Sequence, residues 1–421
     1  MLHLLLSPFV FSQLFILFLI LKTSCEIYLS WRNENYVYSH RNKVPECFAH
    51  IISIEDHQKA AQYTSAKSRL GRAETLFSAL LLFFWIRGGG LNFLDLYFYG
   101  YFDSQLSRGV VVIVLFSIIN SLLALPWSLY QTFVLEEKFG FNKTTVSTFV
   151  KDLFKQILLS LVLGLPILYA LLLIMEKLGK NWWWVAWSMM VAFQFLMMWA
   201  WPRFLAPLFN KFTPLEEGEL KNKIEKLLER CQFKSSGLFV MNASLRSSHG
   251  NAYFTGLGKN KRIVFFDTLI KTLTANEVEA VLAHELGHFK LKHIRKTLIR
   301  STLLELLAFW ILGKLISMPS FYLGHHIDSS STYMGLLLFS LVTPLYTFFL
   351  TPLFTWYSRN HEYEADNFAK KYSNGHDLSQ SLLKMYRDNA STLTPDPLYS
   401  SFYYSHPSAL ERIKNLELPP S

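Results

Sequence analysis

The 421 residues are 51% hydrophobic and 16% aromatic but only 17% charged. Soluble domains carry about 25% charged residues. The deficit, together with several apolar runs of roughly 20 residues, excludes an ordinary soluble domain and indicates a multi-pass membrane protein. The formal net charge of +10 reads as basic cytoplasmic loops rather than a nucleic-acid footprint, so the expected partner is a lipid bilayer and not a nucleic acid. Cys25, Cys47 and Cys231 are odd in number and include no C-x-x-C pair, which argues against a disulfide framework or a thiolate metal site.

Seven apolar segments are expected to span the membrane: Leu4–Leu21, Thr75–Tyr101, Val110–Phe133, Leu153–Met175, Trp182–Leu205, Ser301–Met318 and Tyr333–Tyr357. Each is about long enough to cross a ~30 Å hydrocarbon layer at 1.5 Å per helical residue. The first lacks a basic leader and a small-residue cleavage site, so it reads as an anchor rather than a signal peptide. Arg32, Arg41, Lys43, Lys59, Lys67, Arg69, Lys138, Lys143 and most basic residues after Asn210 fall on one side of this seven-span chain. The positive-inside rule makes that side cytoplasmic. Arg87, Asp95, Glu305 and Lys314 inside spans point to a polar bundle interior. Lys155, at the start of its span, reads as a snorkelling side chain.

The long fifth loop falls on the basic side. It opens with an amphipathic helix over Pro214–Cys231 and continues with β-like runs Leu238–Met241, Ala252–Thr255 and Ile263–Asp267. A Gly256–Asn260 turn joins the last two into a hairpin. Thr274 and Glu277 then form a capping box ahead of a helical run, Val278–Ile294.

That run contains VLAHELGHFKLKH, an H-E-x-x-H motif. On a helix, His284 and His288 lie one turn apart on one face and can share a zinc ion. Glu285 sits beside them, placed to take a proton from a zinc-bound water, whose pKa falls toward ~7. Gly287 costs roughly 1 kcal/mol in a helix interior; a small residue there permits close approach of a neighbouring backbone or substrate. A third protein ligand is required. The positions where one metalloprotease class places its Gly and last His hold Leu291 and Ile294, and His293 reads as a surface histidine on the same helix. The remaining source is SRNHEYEADNFAKKY, Ser358–Tyr372. There Glu362 can bind zinc while Asp366, one turn on, orients a ligand histidine; His361 and Glu364 compete for the role on spacing alone. Further on, FYYSHPSALERI reads in isolation as a capped helix start; brought near zinc, its His406 could stabilise an oxyanion, and Arg412 follows it by six residues.

Several motifs in order carry a resemblance: HQKAAQYTSAK (His57–Lys67), HGNAYFTG (His249–Gly256), KRIVFFDTLI (Lys261–Ile270), AVLAHELGHFKLKH, Glu362-x-x-x-Asp366 and YSHPSALERI. Together they resemble the type I CAAX prenyl protease family of integral-membrane zinc metalloendopeptidases. The resemblance implies a predominantly α-helical membrane protein in which seven transmembrane helices form a hollow barrel, closed by a cytoplasmic zinc-protease domain with a small β-hairpin or sheet. It implies one Zn²⁺ per chain held by His284, His288 and Glu362, with Glu285 as general base. It further implies that Asn251, Ala252 and Tyr253 hold the substrate backbone, and that His406 and Arg412 give transition-state or structural support. The expected division is 1–205 for the first five spans, 206–300 for the zinc-protease segment, 301–357 for the last two spans and 358–421 for the segment supplying the third ligand. The expected substrate is a prenylated or other membrane-associated polypeptide; the oligomeric state stays open. Gly250, where eukaryotic relatives tend to carry Ser, and the somewhat short chain point to a bacterial homologue in the inner membrane; a eukaryotic one would sit in the endoplasmic reticulum. The competing readings are a quality-control protease of the heat-shock type, which has fewer spans, and a transporter-like bundle with structural zinc, to which Glu285 would be superfluous.

Overall fold

Long apolar helices make up most of the chain in the computed structural model, which describes residues 7–255 and 261–417. Among the described residues, five helices are long and apolar enough to cross a membrane: Pro8–His40 (α1), Gln105–Phe139 (α4), Val146–Lys177 (α5), Gly179–Phe209 (α6) and Thr332–Tyr372 (α10). A sixth candidate is a bent pair, Ile54–Ile86 (α2) and Gly90–Tyr97 (α3), which meet at 50°.

The bend has a local cause. Gly89 adopts φ +78°, and a Cβ on Gly90 would lie 2.7 Å from the Trp85 ring, so the turn is closed to larger residues. Arg87, at the corner, donates to Ser12 Oγ on α1 at 2.7 Å.

The expected count of seven spans is therefore not met by length and composition. The segment expected at Ser301–Met318 lies in helix His293–Leu315 (α9), which falls short because Arg300, Glu305 and Lys314 punctuate it. The first expected span, Leu4–Leu21, begins outside the described residues, and its helix continues to His40. There α1 packs along α2, and Glu34 of α1 accepts from Arg69 and Arg72 of α2 at 2.7 and 2.5 Å.

The polar residues expected inside the bundle separate into two groups. Asp95 is buried, accepts from the Tyr333 hydroxyl and lies 3.7 Å from Arg108, as an ionisable group in an apolar bundle requires. Lys155 instead stays exposed and donates to the Leu208 carbonyl at 2.6 Å.

Between α6 and α9 the chain builds a small mixed sheet on the amphipathic helix Glu219–Arg230 (α7). Its strands are Phe212–Pro214 (β1), Leu238–Met241 (β2), Ala252–Thr255 (β3) and Arg262–Phe266 (β4), in the order β1-β2-β4-β3. β2 pairs parallel with β4, and the other two pairings are antiparallel. β3 and β4 pair as a hairpin in register Ala252 to Phe265, while the turn expected at Gly256–Asn260 lies outside the described residues. β1 was not anticipated, being three residues long with a Pro at its end. Ile263 and Phe265 face the core that α7 and helix Ala275–Lys290 (α8) share, so the sheet forms a base against which the zinc-motif helix packs.

Candidate metal centre

Helix α8 starts where the capping box places it. Thr274 Oγ1 accepts from Glu277 N, and Glu277 Oε2 accepts from Thr274 N at 2.8 Å. Val278, Ala280, Leu282, Ala283 and Leu286 are buried, which fixes the helix in the core and turns His284 and His288 to one side. Their Nε2 atoms lie 3.2 Å apart.

The third group comes from the second half of α10, Thr351–Tyr372, which crosses α8 closely. At the crossing stands Gly287: a Cβ there would lie 3.0 Å from Ala365 Cα and 3.2 Å from its carbonyl oxygen. The missing side chain lets the two backbones touch, so of the two approaches the sequence left open, backbone or substrate, the structure shows a backbone. Glu362 is thereby brought to the histidines, with Oε1 3.2 Å from His288 Nε2 and Oε2 3.4 Å from His284 Nε2.

The residues fit a zinc ion on three grounds. The ligand atoms of His284, His288 and Glu362 all lie within 4.8 Å of one another, and two nitrogens bound ~2.05 Å from one tetrahedral ion stand roughly 3.3 Å apart. Glu362 Oε2 is buried without a hydrogen-bond partner among the described residues, a costly state for a carboxylate unless a cation answers it. Finally, the carboxylates of Glu285, Glu362 and Asp366 face a single guanidinium, Arg412, a surplus of negative charge suited to a divalent cation.

A second layer of partners orients the first. Asp366 Oδ1 lies 2.8 Å from His284 Nδ1, which turns Nε2 toward the shared point. Arg412 grips Asp366 bidentately, with Nη2 2.5 Å from Oδ1 and Nε 3.0 Å from Oδ2. Burial and the Arg412 charge press His284 toward its neutral form, but the carboxylates outweigh them and lift it to about 9. Burial raises the Glu285 carboxyl above its ordinary range.

His293 overturns its reading as a surface histidine. α8 ends at Lys290, Lys292 takes φ +61°, and α9 starts afresh at His293. The break swings His293 back beneath the site, where it is buried with Nδ1 3.0 Å from His288 Nδ1. Its Nε2 lies 2.8 Å from Glu364 Oε2, and its ring stacks on His361 at 3.9 Å. His361 and Glu364, the competitors for the third ligand position, thus both attach to His293. A non-Gly residue in the left-handed region leaves no sequence signal of the break.

With this geometry described, comparison with known proteins decides the family. Residues 34–211 match the model for the CAAX prenyl protease N-terminal region, five membrane helices, and residues 214–419 match peptidase family M48. The CAAX prenyl protease 1 of Saccharomyces cerevisiae is 37% identical over 427 residues, covering 95% of this chain and 94% of the relative. The chain belongs to the CAAX prenyl protease 1 family. It is a zinc metalloendopeptidase of peptidase family M48 and a multi-pass integral membrane protein. The Homo sapiens homologue is 33% identical over 93% of this chain and 92% of its own. The crystal structure of S. mikatae Ste24p superposes with a TM-score of 0.90 at 34% identity, covering 97% of this chain and 99% of that one.

These relatives are eukaryotic, and the expected bacterial origin finds no support in them. The Gly250 argument for it is weak on structural grounds too: a Cβ there would meet Leu269 at an ordinary 3.4 Å, so Gly and Ser fit equally. Relatives of CAAX prenyl protease 1 type over nine-tenths of the chain also leave no support for the heat-shock and transporter readings.

The remaining expected site residues divide. His406 faces the cavity in front of the ligands, with Nε2 3.5 Å from Glu362 Oε1. Asn251 borders the same cavity and its Oδ1 accepts from Ala252 N at 2.8 Å. Ala252 is buried in the core. The Tyr253 side chain points to the opposite face of the sheet, against Val264 and Phe266, away from the metal centre.

Proposed function

We propose that this chain cleaves prenylated polypeptides ending in a C-a-a-X sequence at the membrane of the endoplasmic reticulum, with its active site open to the cytoplasm. The observation that carries this reading is the convergence of His284, His288 and Glu362 beside Glu285, on the wall of a cavity of about 880 Å³. One Zn²⁺ per chain is held by those three ligands. When bound, it supplies the Lewis acidity that polarises a scissile carbonyl and activates water.

The chain's own groups do the rest. Glu285 accepts the proton of the attacking water and returns it to the leaving amine. His406 donates to the oxygen on which charge develops. Arg412 acts one step removed, holding Asp366 and through it the His284 ring. β3 is one of the two edge strands of its sheet and offers main-chain groups to an extended peptide. Asn251 and Ala252 lie at its cavity end, and Tyr253 contributes backbone alone.

In this reading α9 is a seventh span whose charged residues line the interior of a hollow barrel. The chain then divides into 1–205 and 301–357 for the bundle, 206–300 for the protease segment and 358–421 for the third ligand and its supports. Cleavage of a farnesylated C-a-a-X peptide, compared with the same peptide unfarnesylated, tests the proposal: the farnesylated form should be cut with the higher kcat/KM, and equal rates would contradict prenyl selectivity.

A further inference from the structure

The cavity in front of the metal centre has a second wall, built by α2, that the chemistry at His284 and Glu285 leaves unused. Thr64, Lys67, Ser68, Gly71, Arg72 and Thr75 all line it. Their spacing, i, i+3, i+4, i+7, i+8 and i+11, is that of one helix face. On a helix that continues into the apolar bundle, a polar face turned to a cavity is a feature that packing alone does not require.

The cations on this cavity are Lys67, Arg72 and Arg412. Arg412 is committed to Asp366 at 2.5 Å, and Arg72 to Glu34 at 2.5 Å. Lys67 has no carboxylate within ion-pair distance among the described residues. Its ammonium lies 5.0 Å from the Tyr63 ring, and that ring is fixed by a 2.6 Å hydrogen bond from its hydroxyl to Glu136. Lys67 is thus the one cation of the three without a carboxylate partner among the described residues; of the carboxylates on the same cavity, Glu26 is paired with Lys22 at 2.8 Å and Glu285 stands at the metal centre. An anion that leaves bulk water for a cavity partly open to solvent is favoured by a counter-charge such as Lys67.

The substrate brings an anion of its own. A C-a-a-X sequence is the end of a chain, so it carries a free α-carboxylate. A scissile bond inside that short sequence lies within roughly 10 Å of the carboxylate, at 3.3–3.6 Å per extended residue. Resting on the proteolytic reading above, we propose that Lys67 binds the substrate's C-terminal carboxylate, with the Thr64 and Ser68 hydroxyls beside it on the same helix face. The contact would register the chain end against Glu285 and favour peptides that stop at X over those that continue.

The test uses the full-length protein in phospholipid vesicles and two farnesylated peptides, identical except that one ends in a free carboxylate and the other in a primary amide. A charge-assisted hydrogen bond made in both ground and transition states acts on KM. The wild type should show a KM about tenfold lower for the carboxylate peptide, at similar kcat. Lys67→Met should raise KM for that peptide to the amide value and leave the amide peptide unchanged, and Lys67→Arg should restore most of the preference. Lys67 is exposed on its helix, and Met and Lys have similar helix propensity, so the variant should fold. A carboxylate preference that survives Lys67→Met would overturn the proposal. Equal weakening of both peptides would also do so, pointing to a structural or lipid-contacting lysine. Failure of the wild type to cleave either peptide is a different result: it removes the proteolytic reading and this inference with it.

Discussion

In the proposed mechanism, Glu285 is the residue whose removal would separate binding from chemistry. It borders the cavity but is not among the converging ligand atoms. Glu285→Gln should therefore keep its zinc and fold while losing about 10²–10⁴-fold in kcat, measured as peptide hydrolysis alongside metal content. His293 makes the opposite prediction. It touches His288 and not the cavity, so His293→Ala should weaken zinc affinity by about 10–100-fold, and saturating zinc should recover most of the kcat. A competitive chelator titration reads the first and an activity assay in excess zinc the second. The pair also marks the limit of the sequence at this scale. His284 and His288 are legible because helical spacing puts them on one face, and Glu285 because the H-E-x-x-H motif sets it beside them. His293 is not, because its position depends on a break at Lys292 that no glycine or asparagine announces.

Among elements, the α8–α10 crossing governs the site. Gly287 sits where the helices touch, so Gly287→Val should force Ala365 away and carry Glu362 with it. The bundle would persist, since the spans bury their own apolar core around Trp85, Tyr322 and Tyr333. Zinc occupancy should fall severalfold with little loss of helical content, seen as metal content set against circular dichroism; unchanged occupancy would mean that the crossing is loose. The sequence pointed to the second helix through the acidic run at Glu362–Asp366. It could not choose among His361, Glu362 and Glu364, because neighbouring positions on a helix differ by about 100° and only the crossing decides which one faces α8. The four-stranded sheet was readable as three strands from their β-branched and aromatic runs. β1 escaped because its three residues are held by pairing with β2 rather than by any local pattern.

At the scale of the molecule, the catalytic site joins two parts of the chain that the last two apolar segments separate. The ligands on α8 and the ligand on α10 meet only when α9 and the start of α10 have folded back beside the sheet. Zinc should therefore act as a staple across the whole assembly. Metal at a thousandfold excess over its dissociation constant adds about 4 kcal/mol by mass action, so stripping it should lower the thermal midpoint by several degrees, reversibly on adding zinc back. The membrane character was legible from composition, since apolar runs need no tertiary context. The span count was not fully legible: α9 carries Arg300, Glu305 and Lys314 and is not among the helices long and apolar enough to cross a membrane by length and composition. The measurement that bears most directly on the account is the zinc-to-chain ratio of purified full-length Glu362→Ala, compared with wild type, His361→Ala and Glu364→Ala. The account predicts about one zinc in the wild type, little in Glu362→Ala with its helical content intact, and retained though weaker binding in the other two. Full zinc in Glu362→Ala, with loss in either neighbour, would contradict it.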